Sequence, residues 1–188
     1  MSASLCPEGY RLVAITGRPG IGKTTLFTRV YEALRREGFR IEGFVCPEVR
    51  RSGRRIGFLI RSLDGRLERW LARTDGCDGP RVGRYYTCME AIELANYLLT
   101  RFEAADLVMI DEIGPMELSL PGLRNAILTV LRSSKPGVYV VHERLRDREV
   151  KSLLENNTCW FTVTLENRDV LFSRVYEAVE VLLAHSRH

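Results

Sequence analysis

Short apolar runs alternate along this chain with stretches of helical period. "RLVAIT" (11–16) is stopped by Gly17 and predicts a buried strand. The next segment carries Leu26, Val30 and Leu34 on one helical face, with Gly38 placed to cap the helix end. "IEGFVC" (41–46) predicts a second strand. Between about 47 and 88 the pattern changes: Gly and Arg recur, and Asp64-Gly65 sits between apolar runs as a hairpin signal, which predicts a β-rich insertion. "TCME" (87–90) has the capping-box form and predicts a helix to about Phe102. "DLVMID" is the next strand, followed by a helix from about Leu120 to Arg132. "GVYVVH" (137–142) and "CWFTVT" (159–164) are two more strands with a helix between them, and Leu171, Val175, Ala178 and Leu182 mark a final amphipathic helix. Strand and helix in alternation predict an α/β fold with a mainly parallel sheet, flanked by helices, in one domain spanning 1–188.

Composition changes this picture little. The 188 residues suffice for a real core, and 45% hydrophobic with 28% charged residues is ordinary for a soluble protein. The apolar runs are far short of the roughly 20 residues of a membrane span. "MSASLCPEGY" lacks a basic start and an apolar centre, so it reads as a loose lead and not as a signal peptide; the expected location is the cytoplasm. The five cysteines are odd in number, widely spaced and without a C-x-x-C, which predicts buried free thiols for most of them in place of a disulfide framework or zinc site. The net charge of +4 is mild, but "RRSGRR" (50–55) is either a polyanion contact or a solvated loop.

The chemistry begins at "GRPGIGKT". Gly17 to Thr24 fits G-x-x-x-x-G-K-[ST] between a predicted strand and a predicted helix, the context that a phosphate-binding loop requires. Gly17, Arg18, Pro19, Gly20, Ile21, Gly22, Lys23, Thr24 and Thr25 form the nucleotide-binding stretch. Its backbone N–H groups and the helix start face the phosphates, Lys23 bridges the β- and γ-phosphates, and the Thr24 hydroxyl holds Mg²⁺. Thr25 supports the helix start or fills a capping or core role, and Arg18 and Pro19 carry no assigned chemistry.

A second magnesium anchor is needed at the end of another apolar strand, and "LVMID" supplies Asp111. Strand alternation turns Glu112 to the opposite face, which divides the work: Asp111 holds the metal, and Glu112 orients or deprotonates the attacking water. A Glu beside the metal Asp points to the P-loop branch with a strand between the P-loop strand and the Asp strand. "GVYVVH" is that strand, ending in His142, which either donates to the γ-phosphate or is structural. Arg50 or Arg55 from the insertion is the candidate cation for the phosphoryl oxygens.

Several segments resemble one family, the small P-loop nucleoside-triphosphatases first described from hyperthermophiles, whose relatives include the human cancer-related nucleoside-triphosphatase. The matching stretches are "ITGRPGIGKTTL" (15–26), "GFVCPEVRRSGRRIGF" (43–58), "VGRYY" (82–86), "IDEIGPMEL" (110–118) and "ENRD" (166–169). The chain departs from many relatives at Cys46 and Pro47, where they carry a hydroxyl residue. The resemblance implies a RecA-like core with a β insertion and Mg²⁺-dependent hydrolysis of ATP, GTP and other nucleoside triphosphates to diphosphate and phosphate. It places Glu48, Arg50, Arg55 and Gly57 in the insertion motif, and Asn167 and Arg168 in a late motif near the base; from its residue type alone Asn167 is as well a helix cap. Two other readings stand beside hydrolysis: a nucleotide or nucleoside kinase, and, ranked below it, a nucleic-acid-binding ATPase using the arginine-rich insertion. No membrane partner is expected, and the default assembly is a monomer.

Overall fold

The apolar runs become the strands of a single sheet in the computed structural model, which describes residues 6–185, so the first five residues of the expected lead lie outside it. In chain order the elements are β1 (Leu12–Thr16), α1 (Lys23–Arg36), β2 (Ile41–Val45), then five insertion strands, β3 (Glu48–Arg51), β4 (Arg54–Ser62), β5 (Glu68–Arg73), β6 (Arg81–Val82) and β7 (Tyr85–Thr87). They continue with α2 (Glu90–Leu99), β8 (Leu107–Ile113), α3 (Pro115–Ser119), α4 (Pro121–Arg132), β9 (Gly137–Val141), α5 (Arg148–Glu155), β10 (Thr158–Thr162) and α6 (Leu171–His185). Leu12, Val13, Ala14 and Ile15 of β1 are all fully buried, because helices cover both faces of a parallel sheet. Side-chain alternation sends Val13 and Ile15 to the layer of α1 and α6, and Leu12 and Ala14 to the layer of α2, α4 and α5.

The strand order is β10-β1-β9-β8-β2, all parallel, and the sheet continues through β4, β5, β7 and β6, with β3 paired on the side to β4. β4 meets β2 antiparallel, so the insertion extends the parallel core as an antiparallel wing. β9 lies between β1 and β8, as the sequence predicts, and this is the arrangement of a RecA-like core. The order matters for chemistry because it aligns the C-terminal ends of β1, β9 and β8 along one edge, where ligands of parallel α/β sheets bind.

Three expectations are corrected. The capping box does not form: Met89 takes the N-cap position without a side-chain bond, the Thr87 hydroxyl donates to the Pro80 carbonyl, and Glu90 accepts from the Trp70 N–H. Thr87 is drawn into the strand pairing of the wing, which tertiary packing favours over a local cap. The helix ends at Leu99, and a separate 3₁₀ turn covers Phe102–Ala104. The cysteines are not all free: Cys6 pairs with Cys159 and Cys77 with Cys88, which leaves Cys46 as a thiol. Partners 153 residues apart meet only because the chain start runs beside edge strand β10, a proximity that spacing along the sequence does not encode. No helix among the described residues is long and apolar enough to cross a membrane.

Candidate active site

The loop between β1 and α1 is held by two glycines with different jobs. Gly17 has φ +141°, and a Cβ there would lie 2.7 Å from the Val163 carbonyl oxygen, so only glycine allows the chain after β10 to pass this close. Gly22 occupies the N-cap of α1 at φ +114° and offers no side-chain acceptor to the helix start. The first N–H groups of α1 therefore point outward, a ready site for anionic oxygens. Lys23 is buried, and its Nζ donates to the carbonyls of Gly17 at 2.9 Å and Arg18 at 3.1 Å, so the ammonium lies across the loop.

Asp111 and Glu112 leave the strand differently from the alternation the sequence predicts. Asp111 pairs with Val140 and Ile113 with Val141, so Glu112 is the extra residue of a bulge; the peptide joining Asp111 to Glu112 is cis. A bulge breaks the period-2 rule, and both carboxylates feel the Lys23 ammonium. Asp111 is buried, accepts a hydrogen bond from the Thr24 side chain, and titrates near 6: burial raises it, while the Thr24 bond and Lys23 work in the other direction. Burial likewise raises Glu112, against the pull of Lys23. A buried carboxylate joined to a hydroxyl is a hard oxygen pair with negative charge that a cation would relieve, which fits Mg²⁺. Among the described residues no three His, Cys, Asp or Glu side chains are grouped to hold a metal ion.

The remaining candidates divide. His142 follows β9 directly, and its Nδ1 accepts the Arg144 N–H at 3.1 Å; burial and Lys23 lower its pKa, which favours the neutral ring. Its Cβ lies 3.3 Å from where a Cβ on Gly114 would stand, a point 3.1 Å from a Glu112 carboxylate oxygen. His142 and Glu112 are thus brought together. Arg50 and Arg55 have their ion-pair partner inside the insertion: Glu48 binds Arg50 at 2.5 Å and Arg55 at 2.6 Å. Asn167 braces the loop after β10, accepting from the Thr164 N–H at 2.8 Å and donating to the Thr162 carbonyl at 2.8 Å. Arg168 is exposed on the same loop, whose Val163, three residues before the late motif, abuts Gly17.

The sequence model of the family described as NTPase matches residues 12–176, from β1 into α6. The chain belongs to the NTPase family. The nucleoside-triphosphatase THEP1 of Hyperthermus butylicus is 57% identical over 179 residues, which cover 95% of this chain and 96% of that protein. Among solved structures, THEP1 from the hyperthermophile Aquifex aeolicus matches with a TM-score of 0.76 at 30% identity, covering 90% of this chain and 99% of that one. A human cancer-related nucleoside triphosphatase matches with a TM-score of 0.69, also at 30% identity, covering 91% and 98%. The matched span of the NTPase-family chain contains every candidate residue named above.

Two residues of this NTPase-family site carry no assignment from sequence. Arg144 joins Arg18, Pro19 and Glu143 around an open cleft beside the phosphate loop; its only signal is a position two residues past His142. Glu117, on short helix α3, is buried and accepts from the Cys46 thiol, and one of its oxygens lies 3.1 Å from the same Gly114 Cβ point that Glu112 approaches. Its signal is the motif "DEIGPMEL", which marks the segment without separating this carboxyl from an ordinary helix residue. Burial, reinforced by Glu112, lifts Glu117 to about 8, so the folded protein holds a proton that the unfolded chain releases near 4.5. The stability that this proton confers is complete below 4.5 and is lost as pH rises through about 8. Glu117→Gln cannot ionise. In nucleotide-free, chelator-treated protein it should gain on the parent across this window, by up to about 5 kcal/mol at its upper end, since the rise from 4.5 to about 8 is worth about 1.4 kcal/mol per pKa unit. Thermal unfolding at several pH values reads this directly, and a pH-independent difference would show that Glu117 is ionised throughout.

Proposed function

We propose that this NTPase-family chain hydrolyses nucleoside triphosphates to diphosphate and inorganic phosphate in a Mg²⁺-dependent reaction. The observation that carries this reading is the meeting, at one sheet edge, of Lys23, the hydrogen-bonded Thr24 and Asp111, and the bulged Glu112. Thr24 and Asp111 are the residues to hold Mg²⁺, which when bound neutralises charge on the phosphate oxygens. Lys23 exchanges its two loop carbonyls for β- and γ-phosphate oxygens. Glu112 accepts a proton from water as the water oxygen attacks the γ-phosphorus. The bond from that phosphorus to the β–γ bridging oxygen breaks, and the diphosphate departs with the electron pair. Burial keeps Glu112 a stronger base than an exposed carboxylate. With Nδ1 occupied as an acceptor, His142 carries its proton on Nε2, a donor for the γ-phosphate. Arg50 or Arg55 serves the equatorial oxygens once the insertion hairpin closes toward them, and Asn167 and Arg168 border the nucleotide from the loop after β10.

Product analysis tests this against phosphoryl transfer to another acceptor. Purified protein with MgATP, with and without a pool of nucleosides and monophosphates, is followed by phosphorus NMR. ADP and free phosphate in equal amounts regardless of acceptor, abolished by chelation of Mg²⁺, is the expected result. Phosphate appearing on an acceptor with little released free would make the chain a kinase.

A further inference from the structure

The insertion carries a charge that the rest of the molecule lacks. Residues 47–88 contain ten Arg, no Lys and five Asp or Glu, an excess of five positive charges against +4 for the whole chain. The wing's ion pairs use Arg50, Arg55, Arg61, Arg66 and Arg73. Among the described residues Arg51, Arg54, Arg69, Arg81 and Arg84 form no ion pair, and Glu48 is divided between two partners. Exclusive use of Arg matters because a planar guanidinium both forks onto phosphate and stacks on rings.

The strand register arranges part of this charge. Phe58, Ala72 and Thr87 oppose one another on the face of the wing that, with Ile60 and Leu71, packs toward α2. On the other face Val49, Gly57, Arg73, Tyr86 and Arg81 stand opposite one another in one row across β3, β4, β5, β7 and β6. Four inter-strand steps of about 4.8 Å make this row roughly 19 Å long. The register slip after Phe58 brings Trp70 to the same face, and its ring lies over Gly57, where a Cβ would meet it at 3.0 Å. Arg73 stacks on Trp70 at 4.6 Å and Arg81 on Tyr86 at 5.8 Å, with Tyr86 38% exposed.

We propose that this outer face of the wing is a docking surface for single-stranded nucleic acid. A single strand presents phosphates and unstacked bases in alternation, and a row of arginine-on-aromatic stacks offers a partner to each. Arg73, Arg81 and Tyr86 carry no part of the proposed hydrolysis, so docking is tested separately from it.

The test is fluorescence anisotropy of a labelled oligouridylate titrated with full-length protein across ionic strength, with saturating ADP to fill the phosphate loop. Binding that falls steeply with salt is expected. Arg73→Glu with Arg81→Glu should weaken it about tenfold or more and flatten the salt slope, by about 0.7 per lost phosphate contact. Tyr86→Ala should weaken it about five- to hundredfold with the slope unchanged, the signature of a lost base stack. Thermal melting and NTP hydrolysis confirm folding. If the double variant does not fold, Arg81→Glu and Tyr86→Ala, both at the sheet margin, decide the matter separately. No binding at low ionic strength, binding indifferent to these substitutions, or tighter binding to duplex DNA or to phosphatidylserine vesicles would each overturn the proposal.

Discussion

Glu112→Gln is expected to lower triphosphate turnover by roughly 10²–10⁴-fold, the usual contribution of a positioned general base, while nucleotide affinity stays within a few-fold. Gln keeps the size and one acceptor of the side chain but cannot take a proton, so the substitution isolates the proton transfer. The bulge strengthens the prediction. On a regular strand Glu112 would face away from Asp111, and the two carboxylates would not share one cation. Instead both carboxylates are coupled to Lys23, and Glu112 shares the space around Gly114 with His142 and Glu117. Phosphate release gives turnover, and titration with a fluorescent nucleotide gives affinity. A loss below tenfold would remove Glu112 as the base and direct attention to Glu117, the other carboxyl at that point. Loss of binding in step with turnover would assign Glu112 to the metal and not to the water.

The parallel core was legible because its strands are short, mostly apolar runs between turn signals, and the phosphate loop because its residues fit a spacing whose physics is local to the loop. The position of β9 between β1 and β8 was legible through a chemical argument, the Glu beside the metal Asp, and not through hydrophobic pattern. What escaped depends on register or on distant partners. The Glu112 bulge is defined only against Val140 and Val141 on a neighbouring strand. The outer row of the wing joins residues from five strands whose alignment no single stretch determines. Glu117 looks like any polar residue of a short helix until Cys46, from the end of another strand, is found bonded to it. The segment leading into the late motif meets the phosphate loop through Val163 and Gly17, a contact the motif's own residues do not signal.

Lys23→Ala should cost about 10²–10³-fold or more in turnover, comparable to removing one preorganised donor from a site of developing negative charge. Its effect on binding should be selective. Lys23 is positioned for the β- and γ-phosphates, so the parent should prefer ATP over ADP and the variant should lose most of that preference. Nucleotide-induced thermal stabilisation, measured for both ligands in both proteins, reads this difference. The ammonium also holds down the pKa values of Asp111 and Glu112 and depresses that of His142. Removing it leaves two buried carboxylates without their nearest cation, so the nucleotide-free variant should be less stable at alkaline pH and recover as pH falls and the carboxyls protonate. Lys23→Arg distinguishes charge from shape. It should restore the nucleotide-free stability but not turnover, because a guanidinium cannot sit across the Gly17 and Arg18 carbonyls as the smaller ammonium does. An Ala variant that still prefers ATP over ADP would mean that the γ-phosphate is read by other cations, Arg18 and Arg144 at the cleft first among them.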